Sequence, residues 1–455
     1  MMPTPARAIE QLGPDFYDPV TPARFPEHRL RLRNDRAAAE IGLETLSDDA
    51  WIAHMARFEP FEGSLPQPLA LRYHGHQFRH YNPDLGDGRG FLYAQFVATD
   101  GRLLDLGTKG SGQTPWSRAG DGRLTLKGAV REALATAMLE AHRVPTSRTL
   151  SIVETGEALH RGDEPSPTRS AVLVRLSHGH IRIGTFQRLA YLGETENLAK
   201  LVAYVRHRLH GADDADPARL LAHTVAACAR TTARLMAAGF VHGVLNSDNI
   251  NVTGESFDYG PWRFLPTWDA AFTAAYFDHA GLYAYARQPE AIQWNLLQLA
   301  KSLRPLAEAE ALLPALQSFP AAYEAELRTA MLARLGVEPR TAPEDTALLH
   351  ALEATLTTTQ APLDRFWFAW RGGTPRMAGY EGPQWADLRA ALAAYAPVPN
   401  ALAHAYWSDP APQTMLIEDV ESIWAAIAQH DDWQPFHAKL AAVHRMGEAR
   451  ADLAR

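Results

Sequence analysis

The chain has 455 residues, of which 46% are hydrophobic and 21% are charged, the balance of a soluble globular protein with room for more than one packed unit. Its 44 basic and 52 acidic residues give a formal net charge of −8, so no overall basic field favours nucleic acid or anionic lipid, and any anion site has to be local. The single cysteine, Cys228, excludes an intramolecular disulfide and any zinc or redox site built on paired cysteines.

Cys228 lies in an alanine-rich stretch with the pattern of a buried helix face, so a structural thiol is expected rather than a reactive one. The first residues, MMPTPARAIEQLG, lack the apolar stretch of a secretion signal, and no run of eighteen apolar residues occurs. We therefore expect a cytoplasmic protein that does not enter a membrane.

The first half of the chain predicts a mixture of strands and one long helix. The first sixty residues show no clear periodicity, and we expect them to wrap onto a core formed later in the chain. From Leu69 to about Leu106, short apolar runs flank a turn at residues 100–102, which predicts a hairpin. Apolar residues at helical spacing predict a helix from Arg123 to His142, and Pro145 ends it.

The second half of the chain predicts mainly helices. Residues 168–187, TRSAVLVRLSHGHIRIGTFQ, alternate in polarity and predict two paired strands before the helices begin. From Leu198 onward the chain is rich in alanine and leucine and is predicted to be helical. Tryptophans in residues 360–373 and 421–436 are interpreted as helix-packing aromatics. The predicted fold class is α+β, with a β-rich region followed by a helical one.

A glycine-rich turn, LGDGRG at residues 85–90, precedes the strand GFLYAQF. Gly86 and Gly88 would let backbone N–H groups approach phosphates, and Arg89 adds a cation. By itself the segment fits a plain hairpin turn better.

A lysine on a predicted strand and a glutamate on the next predicted helix follow the turn. Lys109 ends the strand LLDLGTK, and Glu132 lies on the next helix. A strand lysine held by a helix glutamate is the device with which kinases bind nucleotide phosphates. Taken singly, each residue fits a solvated surface charge better, so the pair depends on the other motifs.

Two arginines, Arg175 and Arg182, lie in VRLSHGHIRIG. If residues 177–179 join two strands, both guanidinium groups could reach one end of a cleft, where their planar forks suit phosphate oxygens. Edge-strand arginines that face water are an equally good interpretation of this segment.

The stretch HGVLNSDN, residues 242–249, keeps the His, Leu and Asn spacing of the kinase catalytic loop, but Val244 stands where the catalytic Asp belongs. Asn249 and Asp258 supply the oxygen ligands that Mg²⁺ on a nucleotide triphosphate needs. The sequence therefore predicts a protein-kinase-like fold of two lobes without the usual base. The predicted division is a β-rich nucleotide-binding lobe (1–190), a helical lobe with the catalytic and metal-binding loops (191–345) and a helical C-terminal extension (346–455).

Six segments together resemble the selenoprotein O family of protein adenylyltransferases. They are YHGHQF (73–78), LGDGRG (85–90), LGTKGSGQTPWSRAGDGR (106–123), REALATAMLEAHRVPTSRTLSIV (131–153), VRLSHGHIRIGTF (174–186) and HGVLNSDNINVTGESFDYGP (242–261). The resemblance spans about residues 70–270 and is specific because the segments occur in the family's order. It implies a pseudokinase fold that binds ATP in a flipped orientation and transfers AMP to protein hydroxyls.

The resemblance implies that Asp248 accepts the proton of a Ser, Thr or Tyr hydroxyl as it attacks the α-phosphorus, and that pyrophosphate leaves. It also implies that Asn249 and Asp258 hold Mg²⁺ or Mn²⁺. A loop-capping or metal-orienting carboxylate is the alternative role for Asp248. Motifs and resemblance together place these residues around the nucleotide: Gly86, Gly88, Arg89, Lys109, Asp121, Gly122, Glu132, Arg175, Arg182 and Asp258.

The chain departs from the family at Trp116 and His74, where the usual residues are Tyr and Ala; neither has a predicted ligand role. No cysteine lies near the end of the sequence, so redox control through a C-terminal cysteine pair, known in some relatives, is not expected. His74, His76 and His80 have a spacing that could bind Zn²⁺. Without cysteine support, a hydrogen bond for His76 beneath the glycine turn is the better interpretation.

The sequence is compatible with three functions. AMP transfer from ATP to proteins is the favoured one, and UTP stays open as an alternative donor. An atypical protein kinase is disfavoured by Val244, and a non-catalytic ATP-binding scaffold by the joint presence of Asp248, Asn249 and Asp258. Expected partners are ATP and proteins with hydroxyl side chains, without nucleic acid or membrane. The oligomeric state is left open, with a monomer among the options.

Overall fold

The computed structural model describes residues 2–162 and 164–450. A β-rich region precedes a helical one, which confirms the predicted α+β order. The first region contains β1 (Thr4–Ala6), β2 (Tyr17–Pro19), β3 (Arg29–Arg33), α1 (Asp35–Ala38), α2 (Asp48–Met55), β4 (Leu69–Leu71), β5 (Gly75–Gln77), β6 (His80–Asn82), β7 (Leu92–Val97), β8 (Leu103–Lys109), β9 (Leu124–Thr125), α3 (Leu126–Ala141), β10 (Arg148–Leu159) and β11 (Thr168–Ser177).

The second region is helical apart from two short paired strands. Its elements are α4 (Ile183–Leu192), α5 (Thr195–Tyr204), α6 (Pro217–Ala238), β12 (Phe240–Val241), β13 (Arg263–Phe264), α7 (Gln288–Leu303), α8 (Ala309–Gln317), α9 (Phe319–Leu335), α10 (Ala342–Thr359), α11 (Leu363–Ala369), α12 (Ala386–Leu392), α13 (Ile417–His430) and α14 (Gln434–Glu448).

Within the described residues the main sheet has nine antiparallel strands, in the order β2-β4-β7-β8-β11-β10-β3, with β1 beside β7 and β9 beside β11. β7 and β8 form the predicted hairpin, in which Phe96 lies opposite Leu104. The first sixty residues wrap onto this core as expected, because β1, β2 and β3 all join the sheet by backbone pairing.

Helix α3 packs on β10 and β11 and confirms the predicted helix, with bounds slightly inside those expected. It begins after Thr125, whose side chain caps the first turn. Val130, Leu134 and Met138 recur at four-residue spacing and are fully buried, so one face of the helix is fixed against the sheet.

The second strand predicted within residues 168–187 is wrong, because the chain enters α4 there. Ile183, Phe186 and Leu189 recur every three residues and are buried, which stabilises a helix. Gly193, in the left-handed region at φ 71°, ends it. β11 pairs instead with β8 and with β10, a strand for which no element is predicted.

Side-chain contacts join the C-terminal helices to the sheet at β3 and β11. Asp431, at the end of α13, is bound by Arg31 at 3.1 Å and by Arg169 at 2.7 Å. The same two arginines hold Glu154 on β10, each at 2.6 Å. The Arg31 guanidinium also lies 4.9 Å from the centre of the Trp433 ring. The last helices are thereby tied to the sheet.

The other expectations for the helical region mostly hold. Trp367 and Trp370 are buried in the helical core, as predicted for packing aromatics. Cys228 is buried on α6, and this burial raises the pKa of its thiol to about 12, in keeping with a structural role. Among the described residues, no helix combines the length and the apolar character needed to cross a membrane. The three-part division of the chain stays a prediction.

Candidate active site

A cleft of about 700 Å³ opens between the sheet and the loops that follow α6. One wall is formed by the glycine turn, the end of β8 and residues 116–123; the other is formed by residues 244–249 and Asp258. Segments far apart in sequence therefore meet here. The cleft is lined by every predicted site residue except Glu132, namely Gly86, Gly88, Arg89, Lys109, Asp121, Gly122, Arg175, Arg182, Asp248, Asn249 and Asp258.

Lys109 is the buried cation at the inner end of the cleft. It forms ion pairs with both Glu132 on α3 and Asp258. Because Lys109 and Glu132 are only 5% and 2% exposed, the interpretation as solvated surface charges is wrong. Burial opposes ionisation of Asp258, yet Lys109, Arg89 and Arg175 hold the pKa of that carboxyl well below its usual range.

Arg182 stands at the beginning of α4 and is buried in the cleft wall. Its Nη1 donates to the Tyr73 hydroxyl at 3.2 Å and to the Asp248 backbone carbonyl at 3.1 Å. Its Nη2 donates to Asp87 at 3.1 Å. Arg175 on β11 is equally buried. The interpretation of both arginines as water-facing edge residues is therefore wrong. The expected pair of strands is not formed either, because Arg175 lies on β11 and Arg182 directly precedes α4.

Asp248 lies on a single turn of 3₁₀-helix, Ser247–Asn249. Within the described part of the chain, its Oδ1 is buried and has no hydrogen-bond partner. Burial raises the pKa of this carboxyl to about 6, and Asp258 adds to the rise, although Arg182 opposes it. An unsatisfied carboxylate oxygen on a cleft wall is what proton transfer from a bound hydroxyl requires.

The loop from His242 to Asn249 is tied to the segment before Asp258. His242 Nε2 lies 3.0 Å from the Phe257 carbonyl oxygen, and Asn249 Nδ2 donates to the Val244 carbonyl at 3.1 Å. Because that bond uses the amide nitrogen, the Asn249 side-chain oxygen is the end left for a cation. An amide oxygen and the Asp258 carboxylate fit Mg²⁺ or Mn²⁺, with phosphate oxygens and water completing the shell.

The glycine turn requires glycine because neighbouring backbone and side-chain atoms leave no room for a Cβ. A Cβ at Gly86 would overlap the Trp116 ring, and one at Gly88 would lie 2.8 Å from the Trp116 carbonyl oxygen. A Cβ at Gly90 would overlap the Thr108 carbonyl oxygen on β8. The turn is thus packed into the cleft wall, which a plain exposed hairpin turn would not require.

The outer part of the cleft contains predicted and unpredicted residues together. Asp121 pairs with Arg161 at 2.8 Å and accepts a hydrogen bond from the Arg123 backbone at 3.0 Å. Gly122 has φ 68° and leaves no space for a side chain. Arg118 and Arg161 line the cleft but were not predicted; the density of arginines around TPWSRAGDGR was the available signal for Arg118.

A buried chain of polar groups supports Arg175 and was also missed by sequence reasoning. Arg175 Nε donates to His180 Nε2 at 3.4 Å, and His180 Nδ1 lies 3.1 Å from Asp105. Burial lowers the pKa of His180 even though Asp105 favours its charged form. The neutral imidazole can therefore accept from the guanidinium. A Cβ at Gly107 would overlap the ring, so the histidine position depends on that glycine.

The alternative zinc site is not supported. His74 Nδ1 lies 2.8 Å from the Tyr81 hydroxyl, and His76 Nδ1 lies 2.6 Å from Gln187 Nε2. Across residues 2–162 and 164–450, no group of three or more His, Cys, Asp or Glu could hold a metal. His76 is hydrogen-bonded as expected, but its partner is on α4 and not beneath the glycine turn.

A family model described as protein adenylyltransferase SelO matches residues 4–444. Similar curated proteins are named protein nucleotidyltransferase YdiU. Those from Gloeobacter violaceus and Synechocystis sp. are 45% and 43% identical to this chain; both comparisons cover 94% of it, and 92% and 95% of the relative. Among solved structures, the Toxoplasma gondii specific rhoptry antigen kinase domain matches 74% of this chain and 85% of that one, at 11% identity and a TM-score of 0.28.

Proposed function

This chain belongs to the SelO family of protein adenylyltransferases, and on that basis we propose that its cleft binds ATP with a divalent cation and transfers AMP to a hydroxyl of a protein. The observation that carries the proposal is Asp248: its buried carboxylate oxygen has no partner within the described residues, while Val244 occupies the position of a kinase base. The carboxylate that we assign as proton acceptor therefore stands at a different position from the one that γ-phosphoryl transfer would use.

The cations of the cleft support a polyphosphate ligand. Lys109, Arg175 and Arg182 are buried around its inner end. The Arg89 side chain on the glycine turn is exposed, and no hydrogen bond or ion pair joins it to another described residue. In a chain of net charge −8, this local concentration would bind the β- and γ-phosphates of a flipped ATP and present the α-phosphorus to an acceptor.

Asn249 and Asp258 would hold the Mg²⁺ or Mn²⁺. The cation, once bound, would neutralise charge on the phosphate oxygens. Lys109 is paired with Asp258, so a cation held by that carboxylate would compete with the ammonium group. Released from Asp258, Lys109 would be available to contact phosphate while its pair with Glu132 keeps it in place.

In the transfer step, the acceptor hydroxyl oxygen forms a bond to the α-phosphorus as the bond from the α-phosphorus to the pyrophosphate oxygen breaks. The hydroxyl proton passes to Asp248 Oδ1. Arg182 fixes the backbone of that residue through its 3.1 Å bond to the carbonyl. Lys109 and Arg175 offset the charge that develops on the leaving pyrophosphate, which is the kind of preorganised stabilisation that contributes most to catalysis.

Radiolabelled ATP tests the proposal directly. The purified full chain is incubated with Mg²⁺ or Mn²⁺ and with ATP labelled at either the α- or the γ-phosphate, and label on protein is followed. We expect label from the α-position alone. Label from the γ-position would make the protein a kinase, and ATP binding without label from either position would make it a scaffold. Parallel reactions with α-labelled UTP establish which nucleotide is preferred.

A further inference from the structure

A second cavity, of about 470 Å³, lies where α3 and α6 end, against α9 and the segment that leads into α10. None of its lining residues lines the cleft. We call it the basic cavity because of its six lining arginines, Arg143, Arg234, Arg328, Arg334, Arg340 and Arg450.

Among the described residues, more arginines than carboxylates line the basic cavity. Both of the described carboxylates have partners: Glu326 pairs with Arg230 at 3.1 Å, and Asp345 accepts from the Tyr395 hydroxyl at 2.9 Å and from the Arg340 backbone N–H at 3.1 Å. Two carboxylates outside the cavity also pair with its arginines, Asp364 with Arg334 at 3.3 Å and Glu344 with Arg340 at 2.8 Å. The chain as a whole is acidic, so this concentration is local.

Some of these arginines have a structural role that explains their position. Arg234 donates to the Arg143 carbonyl at 2.7 Å, and Arg334 donates to the Ala237 carbonyl. The second bond caps the carbonyl end of α6, where a cation is favoured, and the first holds the segment that follows α3. Arg328 has no such role: it is partly buried, and no hydrogen bond or ion pair joins its side chain to another described residue.

Arg334 is a buried cation of the cavity with an unsatisfied donor group. It is 5% exposed, and its Nε is buried without a hydrogen-bond partner in the described structure. Burial lowers the pKa of this guanidinium to about 9, and nearby Arg450 adds to the effect. A buried cation with an unsatisfied donor is stabilised when an anion binds beside it.

Much of the remaining wall is apolar, formed by side chains such as Ala237, Leu332 and Val337. A cavity of this size and character suits a compact organic molecule rather than a bare ion. We propose that the basic cavity binds a small organic phosphate, with its phosphate on the arginines and its apolar body on the alanine, leucine and valine wall. Planar guanidinium forks match phosphate oxygens bidentately.

Phenyl phosphate is a suitable probe, and calorimetric titration of the full chain measures its binding. We expect saturable binding that is at least about fivefold tighter than that of inorganic phosphate, because the ring buries apolar surface. No binding of phenyl phosphate would overturn the proposal. Equal binding of the two would overturn the organic part of it and leave a simple anion site.

Arginine variants test whether the probe binds in the basic cavity. Arg328→Ala and Arg340→Ala should each weaken phenyl phosphate binding about tenfold, the effect of one charge-assisted hydrogen bond, and Arg328→Lys should recover part of it. Arg304→Ala is the matched control, because Arg304 pairs with Glu308 at the same four-residue spacing as Arg340 with Glu344 but lies outside the cavity.

Lys109→Ala, in the cleft, should bind the probe as the wild type does. Binding that is lost in Lys109→Ala and kept in Arg328→Ala would place the probe in the cleft and overturn the proposal.

Discussion

Lys109 and Asp258 are paired across the cleft, and Lys109 is bonded to Glu132 at the same time. The carboxylate proposed to hold the divalent cation is thus already neutralised by an ammonium group. A metal ion at this position would therefore compete with the lysine for Asp258, and nucleotide phosphate would relieve the competition because it gives the lysine another anion. Binding of metal and nucleotide should be mutually reinforcing.

The variant Lys109→Met separates the competition of the lysine with the metal ion from its contact with phosphate. Without the competing ammonium, Mn²⁺ should bind the nucleotide-free protein about tenfold more tightly, whereas AMP transfer should fall at least about a hundredfold because a phosphate contact is lost. Paramagnetic resonance of Mn²⁺ measures the first quantity and α-label transfer the second. Lys127→Met, which removes a surface pair with Glu421 at 2.7 Å, is the control. Unchanged Mn²⁺ affinity in Lys109→Met would show that Asp258 is not a ligand.

Asp248→Asn tests the proton acceptor. The amide has the same shape, and the Oδ1 it replaces has no partner among the described residues, so ATP binding should stay within about twofold. The transfer rate should fall by about 10² to 10⁴, the usual contribution of a general base. Asp269→Asn, in an exposed loop, is the control. Full activity in Asp248→Asn would assign this residue the loop-capping role instead.

Gly90→Ala tests how the glycine turn is held. The added methyl group would overlap the Thr108 carbonyl oxygen, so the turn has to move away from β8. We expect a KM for ATP raised at least about tenfold and a free energy of unfolding lowered by about 1 to 3 kcal/mol. Gly162→Ala, where a Cβ meets nothing within 4 Å, should change neither. Wild-type kinetics in Gly90→Ala would mean that the turn does not shape the nucleotide site.

The pH dependence of stability tests the burial of His74. This side chain is 5% exposed, and its burial lowers the pKa of the imidazole to about 4 from 6.5. Between these values the unfolded chain binds the proton and the folded one does not, so stability falls as the pH decreases from 6.5 to 4. With solvent screening allowed for, His74 should contribute about 1 kcal/mol of that loss at pH 5. Urea unfolding at pH 7 and pH 5 should show a smaller loss in His74→Ala; equal losses in the two proteins would contradict the prediction.

Sequence reasoning reached the residues that lie in short motifs with fixed spacing. Lys109, Asn249 and Asp258 could be found because the chemistry of a metal nucleotide restricts which residue types occur there. The pairing of Lys109 with Glu132 was predictable because a strand lysine held by a glutamate on the next helix is a known device for binding phosphates. These inferences needed no knowledge of how distant parts of the chain pack.

What sequence reasoning missed depends on long-range packing. Asp87 and His180 have polar side chains in ordinary surroundings, and only the folded chain shows that they hold Arg182 and Arg175. The error at α4 arose because a short apolar alternation fits a strand and a helix alike until its buried face is known. The strands of the first sixty residues carry no periodic signal, since they are three to five residues long and pair through backbone groups.

The contact between Arg31 and Asp431 spans 400 positions of the chain. Strand β3 and helix α3 leave the ribosome long before α13 and α14, whose apolar residues share a buried core with α3. During synthesis the apolar face of α3 therefore lacks these partners, and its protection against aggregation waits until the last helices are made. For this protein, premature termination late in translation should be more damaging to solubility than the small number of missing residues suggests.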